Sequence, residues 1–183
     1  LLPKNDCFIE LDFNGAEART LLGLSERPSP AHDIHAWNMA KFGIGAGSRP
    51  EAKREFFAWL YNPNAKNFLL EKFYNRNLLV SRFYKDGKIT TPYGREIHAD
   101  EHHALNYLIQ STTSDIVLEN AYRIMKFLER KRSFIAFTMH DSVILDFAKE
   151  PNDMDFVADQ HGITVFIDPF SAAHLNGTIV DYV

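Results

Sequence analysis

The sequence has little that would set it apart from ordinary globular proteins. Its 183 residues include a single cysteine, Cys7, so no internal disulfide can form and a reducing compartment is favoured. No apolar run approaches the roughly 18 residues that a membrane-spanning helix needs. We find no secretory signal, targeting tail, internal repeat or low-complexity tract. These absences predict a cytoplasmic protein that has no membrane partner.

The net charge of the chain is also not typical of a nucleic-acid-binding protein. The formal net charge is −4, whereas a basic surplus is the usual electrostatic signature of such proteins. The charge is uneven, however, because acids are concentrated near the start and after Asp141. Between residues 49 and 95 lies a basic surplus, made up of Arg49, Lys53, Arg54, Lys66, Lys72, Arg76, Arg82, Lys85, Lys88 and Arg95.

What is present is a packed-core composition, 45% apolar and 13% aromatic. Apolar spacing and turn residues predict strands near both ends of the chain and helices between them. This order favours an α+β fold. The expected helices are 16–24, 31–42, 49–61 (with Ser48 and Glu51 as a capping box), 65–84 and 101–130, and a short helix after Pro151. The expected strands are 8–13, hairpins around Asp86-Gly87 and His140-Asp141, and a strand at 164–167.

Two acids stand at the ends of apolar strand segments. Asp12 closes the first strand, and Asp141 lies at the tip of the second hairpin. Acids at such positions are often simple turn residues. They can equally hold Mg²⁺, which prefers carboxylate oxygen, and paired metal ions serve phosphoryl transfer. The positions alone leave both interpretations open.

The helix after Ser48 carries Arg49, Lys53, Phe57 and Tyr61 at steps of four, which form a slowly winding stripe. Two cations followed by two aromatics match the phosphates and the base of a nucleotide. The plainer alternative is a helix with solvated cations and buried aromatics.

In combination, these blocks resemble the family A (polymerase I-like) DNA polymerases of phage type, and they occur in the family's order. Residues 12–19 resemble motif A, Asp33-Ile34-His35 the family's Asp-Ile-His, and the 49–61 helix motif B. The remaining similar blocks are Thr91-Pro92-Tyr93-Gly94-Arg95, Asn106 with Gln110, and His140-Asp141 as motif C.

The resemblance implies a palm with an antiparallel sheet and helices, carrying a helical fingers insertion. Residues 1–42 and 99–183 would form the palm and 43–98 the fingers. The resemblance gives no counterpart of the family's thumb or 3′–5′ exonuclease. The chain opens with Leu1-Leu2-Pro3 directly before a strand-like run, which we interpret as a piece of a longer protein.

The resemblance also implies a role for each matching residue. Asp12, Asp141 and the Phe13 carbonyl would hold two Mg²⁺ ions, for which Mn²⁺ could substitute. Asp12, Asp141 and Lys53 would be catalytic, with Lys53 protonating the leaving group. Deoxynucleoside triphosphates would bind to Glu17, His35, Arg49, Lys53, Phe57 and Tyr61. Primer-template DNA would contact Arg95, Asn106, Gln110 and His140.

The implied activity is template-directed DNA synthesis, by nucleotidyl transfer to a primer 3′-hydroxyl, with DNA, nucleotides and other replication proteins as partners. Asn62-Pro63 follows motif B, the stretch from 61 to 95 is short, and Ser111 follows Gln110 where the family commonly has a glycine. These departures favour a phage enzyme acting in the host cytoplasm. Ser142 stands where most relatives have an acid and keeps open a single-subunit phage-type RNA polymerase. Glu17 argues against that alternative, because those RNA polymerases lack a carboxylate at this position, and Phe57 argues the same way. A non-catalytic nucleic-acid-binding remnant is the alternative outside the enzymes.

Overall fold

A computed structural model describes residues 1–149, 156–160 and 163–167. The chain divides into two compact units. The first consists of residues 1–13 with the described residues from Val117 onward, and the second of residues 14–116. The first unit is thus interrupted in sequence by the second. This is the pattern of a domain with an insertion, while the palm and fingers boundaries stay predictions.

The first unit is built on a three-stranded antiparallel sheet. Strands β1 (Cys7–Asp12), β5 (Phe134–Met139) and β6 (Ser142–Phe147) form it, with β6 in the centre. The β1–β6 register pairs Cys7 with Phe147 and Asp12 with Ser142. Strands β7 (Phe156–Gln160) and β8 (Ile163–Ile167) form a separate hairpin.

One face of the three-stranded sheet packs against the second half of the long helix α6 (Glu101–Phe127). Val143 and Leu145 of β6 are buried there, beside Val117 and Ala121 of the helix. Side chains alternate between the faces of a strand, so the next residues of β6 lie on the opposite face. Asp12 belongs to that opposite face through its pairing with Ser142.

Asp146 ties the start of the chain to this sheet. Its carboxylate accepts hydrogen bonds from the backbone N–H groups of Lys4 (2.7 Å) and Asn5 (2.8 Å). Burial opposes ionisation, but these hydrogen bonds outweigh it and lower the pKa of Asp146. The acid therefore has a structural role that accounts for its position on an otherwise apolar strand.

The second unit is mainly helical. Its helices are α1 (Ala16–Leu24), α2 (Ile34–Phe42), α3 (Arg49–Tyr61), α4 (Phe68–Tyr74) and α5 (Arg76–Phe83), together with the first part of α6. A small sheet of β2 (Tyr84–Lys85), β3 (Lys88–Thr90) and β4 (Glu96–His98) follows α5. The hairpin expected at Asp86-Gly87 is present between β2 and β3.

Aromatic side chains fill the core of this unit. Phe56 and Tyr74 are fully buried, and their rings meet edge to face at 5.6 Å. The Tyr74 hydroxyl donates to the Asn38 side chain at 2.8 Å, so the buried phenol keeps a partner. Trp59 and Leu60 of α3 also belong to this core. One side of α3 is therefore fixed by packing, which holds the other side in a defined direction.

Five local expectations were wrong, of which the last concerns the end of the long helix. Helix α2 begins at Ile34 and not at residue 31, because Asp33 caps it. The expected helix 65–84 is two helices, α4 and α5, separated by Asn75 in a left-handed conformation. Ser48 makes no side-chain capping bond. After Pro151, Phe156–Gln160 is a strand where a short helix was expected, while the strand expected near 164–167 is confirmed.

The long helix ends at Phe127, three residues earlier than expected. Among the described residues, no helix combines the length and apolar character that crossing a membrane requires.

Candidate functional site

Two acids of the first unit lie beside each other across the sheet. Asp12 is the last residue of β1, and its Cα partner is Ser142, the residue after Asp141. The Phe13 N–H donates to the backbone carbonyl of Asp141 at 3.3 Å, which extends the pairing past the end of the strand. Paired strands lie about 4.8 Å apart. The sheet therefore brings together the two carboxylate-bearing residues that the sequence singled out.

The turn between β5 and β6 consists of His140 and Asp141. His140 is exposed and has a φ of +52°, a conformation that a two-residue hairpin turn requires of at least one residue. The Ser142 hydroxyl donates to the Met139 carbonyl at 2.9 Å and is buried, so it closes the turn. Ser142 thus has a structural function at the position where the family has an acid.

The acid pair fits Mg²⁺ as far as its donors are concerned. Among the described residues, no group of three or more His, Cys, Asp or Glu side chains could hold a metal by itself. Mg²⁺ does not need such a cage, because it keeps several waters and takes one or two carboxylates plus substrate phosphates. Asp12 and Asp141 supply that minimum, and the Phe13 carbonyl is the further donor that the resemblance implies. Zn²⁺, which prefers four N or S ligands in structural sites, fits this donor set poorly.

The predicted stripe of the second unit lies on one uninterrupted helix, α3. Arg49 is its first residue, and its side chain is 46% exposed. Lys53 is exposed one turn later. Phe57 and Tyr61 are half-buried, and their rings stack with centroids 5.9 Å apart at an interplanar angle of 11°. The helix thus presents two cations followed by a stacked aromatic pair.

His35 lies beside this stripe. Its ring centroid is 5.6 Å from that of Phe57 and 6.4 Å from that of Phe56. Only 2% of His35 is exposed, and its Nδ1 has no hydrogen-bond partner among the described residues. The structure therefore places His35 against the aromatic half of α3 in the second unit.

The electrostatic surroundings keep His35 neutral near pH 7. Burial lowers its pKa to about 4, and the positive charges of Arg49, Lys53 and Arg19 add to this effect, while Asp33 opposes it. This neutral state is that of the ligand-free protein, and the implied binding of a triphosphate by His35 stays a prediction. A neutral imidazole can donate one hydrogen bond but brings no charge of its own.

This lowered pKa predicts a pH-dependent stability. The unfolded imidazole has a pKa near 6.5 and the folded one about 4, so the unfolded state binds more protons between these values. The free energy of unfolding should therefore be fully retained above pH 6.5 and fall as the pH falls. We expect this effect of His35 to lower the free energy of unfolding by roughly 2 kcal/mol at pH 5, compared with its value well above pH 6.5.

Urea unfolding at pH 7.5 and pH 5.0 tests this prediction, with His35→Gln as the comparison. The other seven histidines contribute equally in both proteins. The loss of stability between the two pH values should be smaller in the variant. An equal loss in both proteins would contradict the assignment.

Glu17 and Tyr61 are brought together by helices α1 and α3. Burial and then the Glu17 carboxylate raise the pKa of the Tyr61 phenol. The Tyr61 hydroxyl is buried and makes no hydrogen bond of ordinary geometry among the described residues, although Glu17 is close enough for its charge to act. The structure thus brings the Glu17 carboxylate and the Tyr61 phenol close together.

Gly15 allows this part of the unit to close. Its φ is +61°, and a Cβ there would lie 2.3 Å from Ile34 Cγ2 and 3.7 Å from His35 Nε2. Any side chain would push the first turn of α2 away from α1. Gly15 therefore sets the distance between the helix that carries Glu17 and the helix that carries His35.

The residues expected to contact DNA have different surroundings. Arg95 forms an ion pair with Asp115, and Gln110 is exposed one turn after Asn106 on α6. The Asn106 Oδ1 atom is buried without a partner among the described residues. Arg95 is thus held through Asp115, while Asn106 and Gln110 share one side of the helix.

Much of the expected basic surplus is neutralised internally. Arg76 illustrates this, since its Nε donates to Glu71 at 2.8 Å and its other nitrogens donate to backbone carbonyls of Trp59, Asn62 and Ala65. Its side chain stabilises the end of α3 and is not available to phosphate. The remaining ion pairs of the surplus are Arg49–Asp33, Arg54–Glu51, Arg82–Glu26, Lys88–Glu96 and Arg95–Asp115.

Two residues of this region had no role in the sequence analysis. Asp33 caps α2 and pairs with Arg49. Arg19 donates to the backbone carbonyls of Asn14 (2.8 Å), Pro30 (2.7 Å) and His32 (2.9 Å) and so fixes the loop before α2. Both lie inside blocks that matched the family pattern, which was the available signal, but their partners are distant in sequence.

Comparison with known proteins gives a fold and no family membership. No protein-family model matches the chain. A stretch of 38 residues is 47% identical to the uncharacterized protein SufA of Bacillus subtilis (strain 168), covering 21% of this chain and 32% of that protein.

A solved structure is similar over most of the chain. It is the POL domain of Pol1 from M. smegmatis in complex with DNA primer-template and dNTP. The TM-score is 0.60 at 19% sequence identity, with 78% of this chain covered. The match spans 34% of that POL-domain chain, about a third of its length. The protein therefore has an α+β, polymerase-like fold.

Proposed function

We propose that the protein is a template-directed DNA polymerase that transfers a nucleotide from a deoxynucleoside triphosphate to a primer 3′-hydroxyl. The observation that carries this proposal is the β1–β6 register, which brings Asp12 beside the Asp141 turn. The similarity to a polymerase fold supports it, and so does the stripe on α3. The resemblance assigns residues 1–42 and 99–183 to a palm and 43–98 to fingers.

The proposed metal ligands belong to the first unit, and the proposed triphosphate ligands belong to the second. When bound, two Mg²⁺ ions would activate the primer hydroxyl and stabilise charge on the leaving phosphates. Asp12, Asp141 and the Phe13 carbonyl would hold these ions. Arg49 and Lys53 bind the triphosphate, and this electrostatic positioning is the main protein contribution to phosphoryl transfer.

The aromatic half of α3 receives the base. Phe57 and Tyr61 are already stacked on each other, so their ring faces are fixed before the nucleotide binds. Base–aromatic stacking tolerates every base, which suits an enzyme whose sequence choice comes from the template. In this proposal Lys53 also donates a proton to the leaving pyrophosphate, and Arg95, Asn106, Gln110 and His140 contact DNA.

Glu17 should determine the choice between deoxynucleotides and ribonucleotides. With Tyr61 it would close against C2′ of the sugar, where a ribose hydroxyl has no room. We expect Glu17→Ala to reduce the preference for deoxynucleotides by about 10- to 100-fold, measured as the ratio of kcat/KM values.

Glu51→Ala is the matched control for this prediction. Glu51 is also an acid in the first turn of a helix, but it pairs with Arg54 on the surface. Its removal should leave sugar selectivity unchanged. If the Glu17→Ala variant rejects ribonucleotides as strongly as the unaltered protein does, another residue must select the sugar.

The proposed function is tested by primer extension with Mg²⁺, using deoxynucleotides and ribonucleotides in parallel. Extension with deoxynucleotides supports the proposal. Equal or better use of ribonucleotides would instead indicate an RNA polymerase. The absence of any extension by the folded protein would contradict the proposal and leave the non-catalytic alternative. The finer proposal of a phage enzyme rests on Asn62-Pro63, on Ser111 and on the short stretch from 61 to 95, and other replication proteins are proposed as its partners.

A further inference from the structure

Asp33 connects the starts of two helices that bear proposed triphosphate ligands. Its Oδ1 atom accepts a hydrogen bond from the backbone N–H of Ala36 at 2.7 Å, which caps α2. The same oxygen accepts from Arg49 Nε at 3.1 Å, and Oδ2 accepts from Arg49 Nη2 at 2.7 Å. One carboxylate thus fixes the start of α2 and the first side chain of α3 simultaneously.

We infer that Asp33 is a positioning residue for nucleotide binding, which holds the Arg49 guanidinium at a fixed place relative to His35. The inference rests on the proposed function and adds to it a residue that does not itself touch the nucleotide. The contact with Asp33 engages Nε and Nη2 of the guanidinium. An arginine has five N–H donors, so a guanidinium held in this way can still bind a phosphate.

The contact between Asp33 and Arg49 matters more for the position of the Arg49 side chain than for the stability of the fold. The Arg49 side chain is 46% exposed and that of Asp33 is 20% exposed, and ion pairs of this kind contribute little net free energy to folding. A two-point contact nevertheless selects one arrangement of a long side chain. Ordering Arg49 before the nucleotide arrives removes part of the entropy cost of binding.

The charge of Asp33 is present at any working pH. Although burial opposes ionisation, hydrogen bonds from Arg49 and Ala36 and the charge of Arg49 lower the pKa of Asp33 to about 2. A negative charge near a triphosphate also repels it, so the removal of Asp33 has two opposing consequences. The loss of order at Arg49 should exceed the relief of repulsion, because the two-point contact with Asp33 selects one arrangement of the guanidinium.

A double-mutant cycle of Asp33→Asn and Arg49→Ala tests the inference. Asparagine caps helices about as well as aspartate, so Asp33→Asn keeps the Ala36 bond and weakens only the hold on Arg49. Calorimetric titration with dATP, without primer, gives the affinity of each protein. We expect Asp33→Asn to weaken binding about tenfold, and to have no further effect once Arg49 is alanine.

Asn67→Ala controls for the loss of a helix cap elsewhere in the second unit, because Asn67 caps α4 through Leu70 N at 3.1 Å. It should bind dATP as the unaltered protein does. Unchanged or tighter binding by Asp33→Asn, additive effects in the double variant, or no measurable binding by the unaltered protein would each overturn the inference. Primer extension is measured on the same samples, so that dATP binding without extension counts against the proposed function and leaves the cycle to decide the role of Asp33.

Discussion

Replacing Asp12 or Asp141 by asparagine should lower the rate of nucleotide incorporation by at least about a thousandfold. Asparagine keeps the size and most hydrogen bonds of aspartate but removes the charge that would hold Mg²⁺. The register that pairs Asp12 with Ser142, next to Asp141, makes each acid useful only with the other. The double variant should therefore be no worse than the more damaged single variant. Single-turnover extension of a primer by one nucleotide measures this effect.

Glu10 offers the matched control for this prediction. It lies two residues before Asp12 on β1, so both side chains belong to the same face of the sheet. Glu10→Gln removes one charge from that face and leaves the Asp12–Asp141 pair intact. Its incorporation rate should stay within about threefold of normal. Near-normal incorporation by Asp12→Asn or Asp141→Asn, or equal damage from Glu10→Gln, would refute the proposed metal ligands.

The second large effect is expected at Lys53. Removing a cation that stabilises charge on the transferred phosphates should lower kcat by about 10²- to 10³-fold. Lys53 is exposed on the same side of α3 as Arg49 and makes no ion pair within the described part of the chain. We expect Lys53→Ala to show this loss, and Lys53→Arg to restore binding of the triphosphate more than kcat, because arginine cannot give up a proton.

The Arg54→Ala variant distinguishes the specific role of Lys53 from the effect of removing any positive charge from α3. Arg54 follows Lys53 directly on α3, but its side chain is 77% exposed and pairs with Glu51. Exposed pairs of this kind contribute little, so the variant should retain kcat and KM within about twofold. If Arg54→Ala and Lys53→Ala lost activity equally, the effect would come from the overall charge of the helix.

Two hairpins and the limits of one helix could be predicted from residues that are neighbours in sequence. Asp86-Gly87 marks the β2–β3 hairpin, and the hairpin around His140-Asp141 appears with the expected strand limits. Helix α3 begins at Arg49 and ends at Tyr61, before Asn62-Pro63, as expected. These elements are determined by turn residues and by the block that proline imposes on helices, both of which act between neighbours in sequence.

The errors have a common cause in contacts between distant residues or in competition among side chains. Helix α2 starts late because Asp33 serves both as its cap and as the partner of Arg49, which lies 16 residues further on. In place of the expected capping box, the Ser48 N–H donates to the Gly45 carbonyl at 2.8 Å, and Glu51 pairs with Arg54. The helix expected over 65–84 breaks at Asn75, where neither glycine nor proline gives a warning and the side chain caps α5 through Leu78 N.

The candidate site was predictable in its residue types but not in its electrostatics. The sequence indicated which residues to examine, because six blocks occur in a recognisable order. It did not show that His35 is buried and neutral, that Arg49 is held by Asp33, or that Arg95 is paired with Asp115. Each of these depends on the packing of separate elements, and burial and pairing together decide which groups are charged.

The central claim is that this chain performs template-directed nucleotide addition. Its most direct test offers a primer on four templates that differ only in the first unpaired base, each with the four deoxynucleotides supplied singly and Mg²⁺ present. Our account predicts that each template directs incorporation of its complementary deoxynucleotide, and that Asp12→Asn abolishes the reaction on all four. Absence of incorporation by the folded protein, or incorporation that ignores the template base, would contradict it.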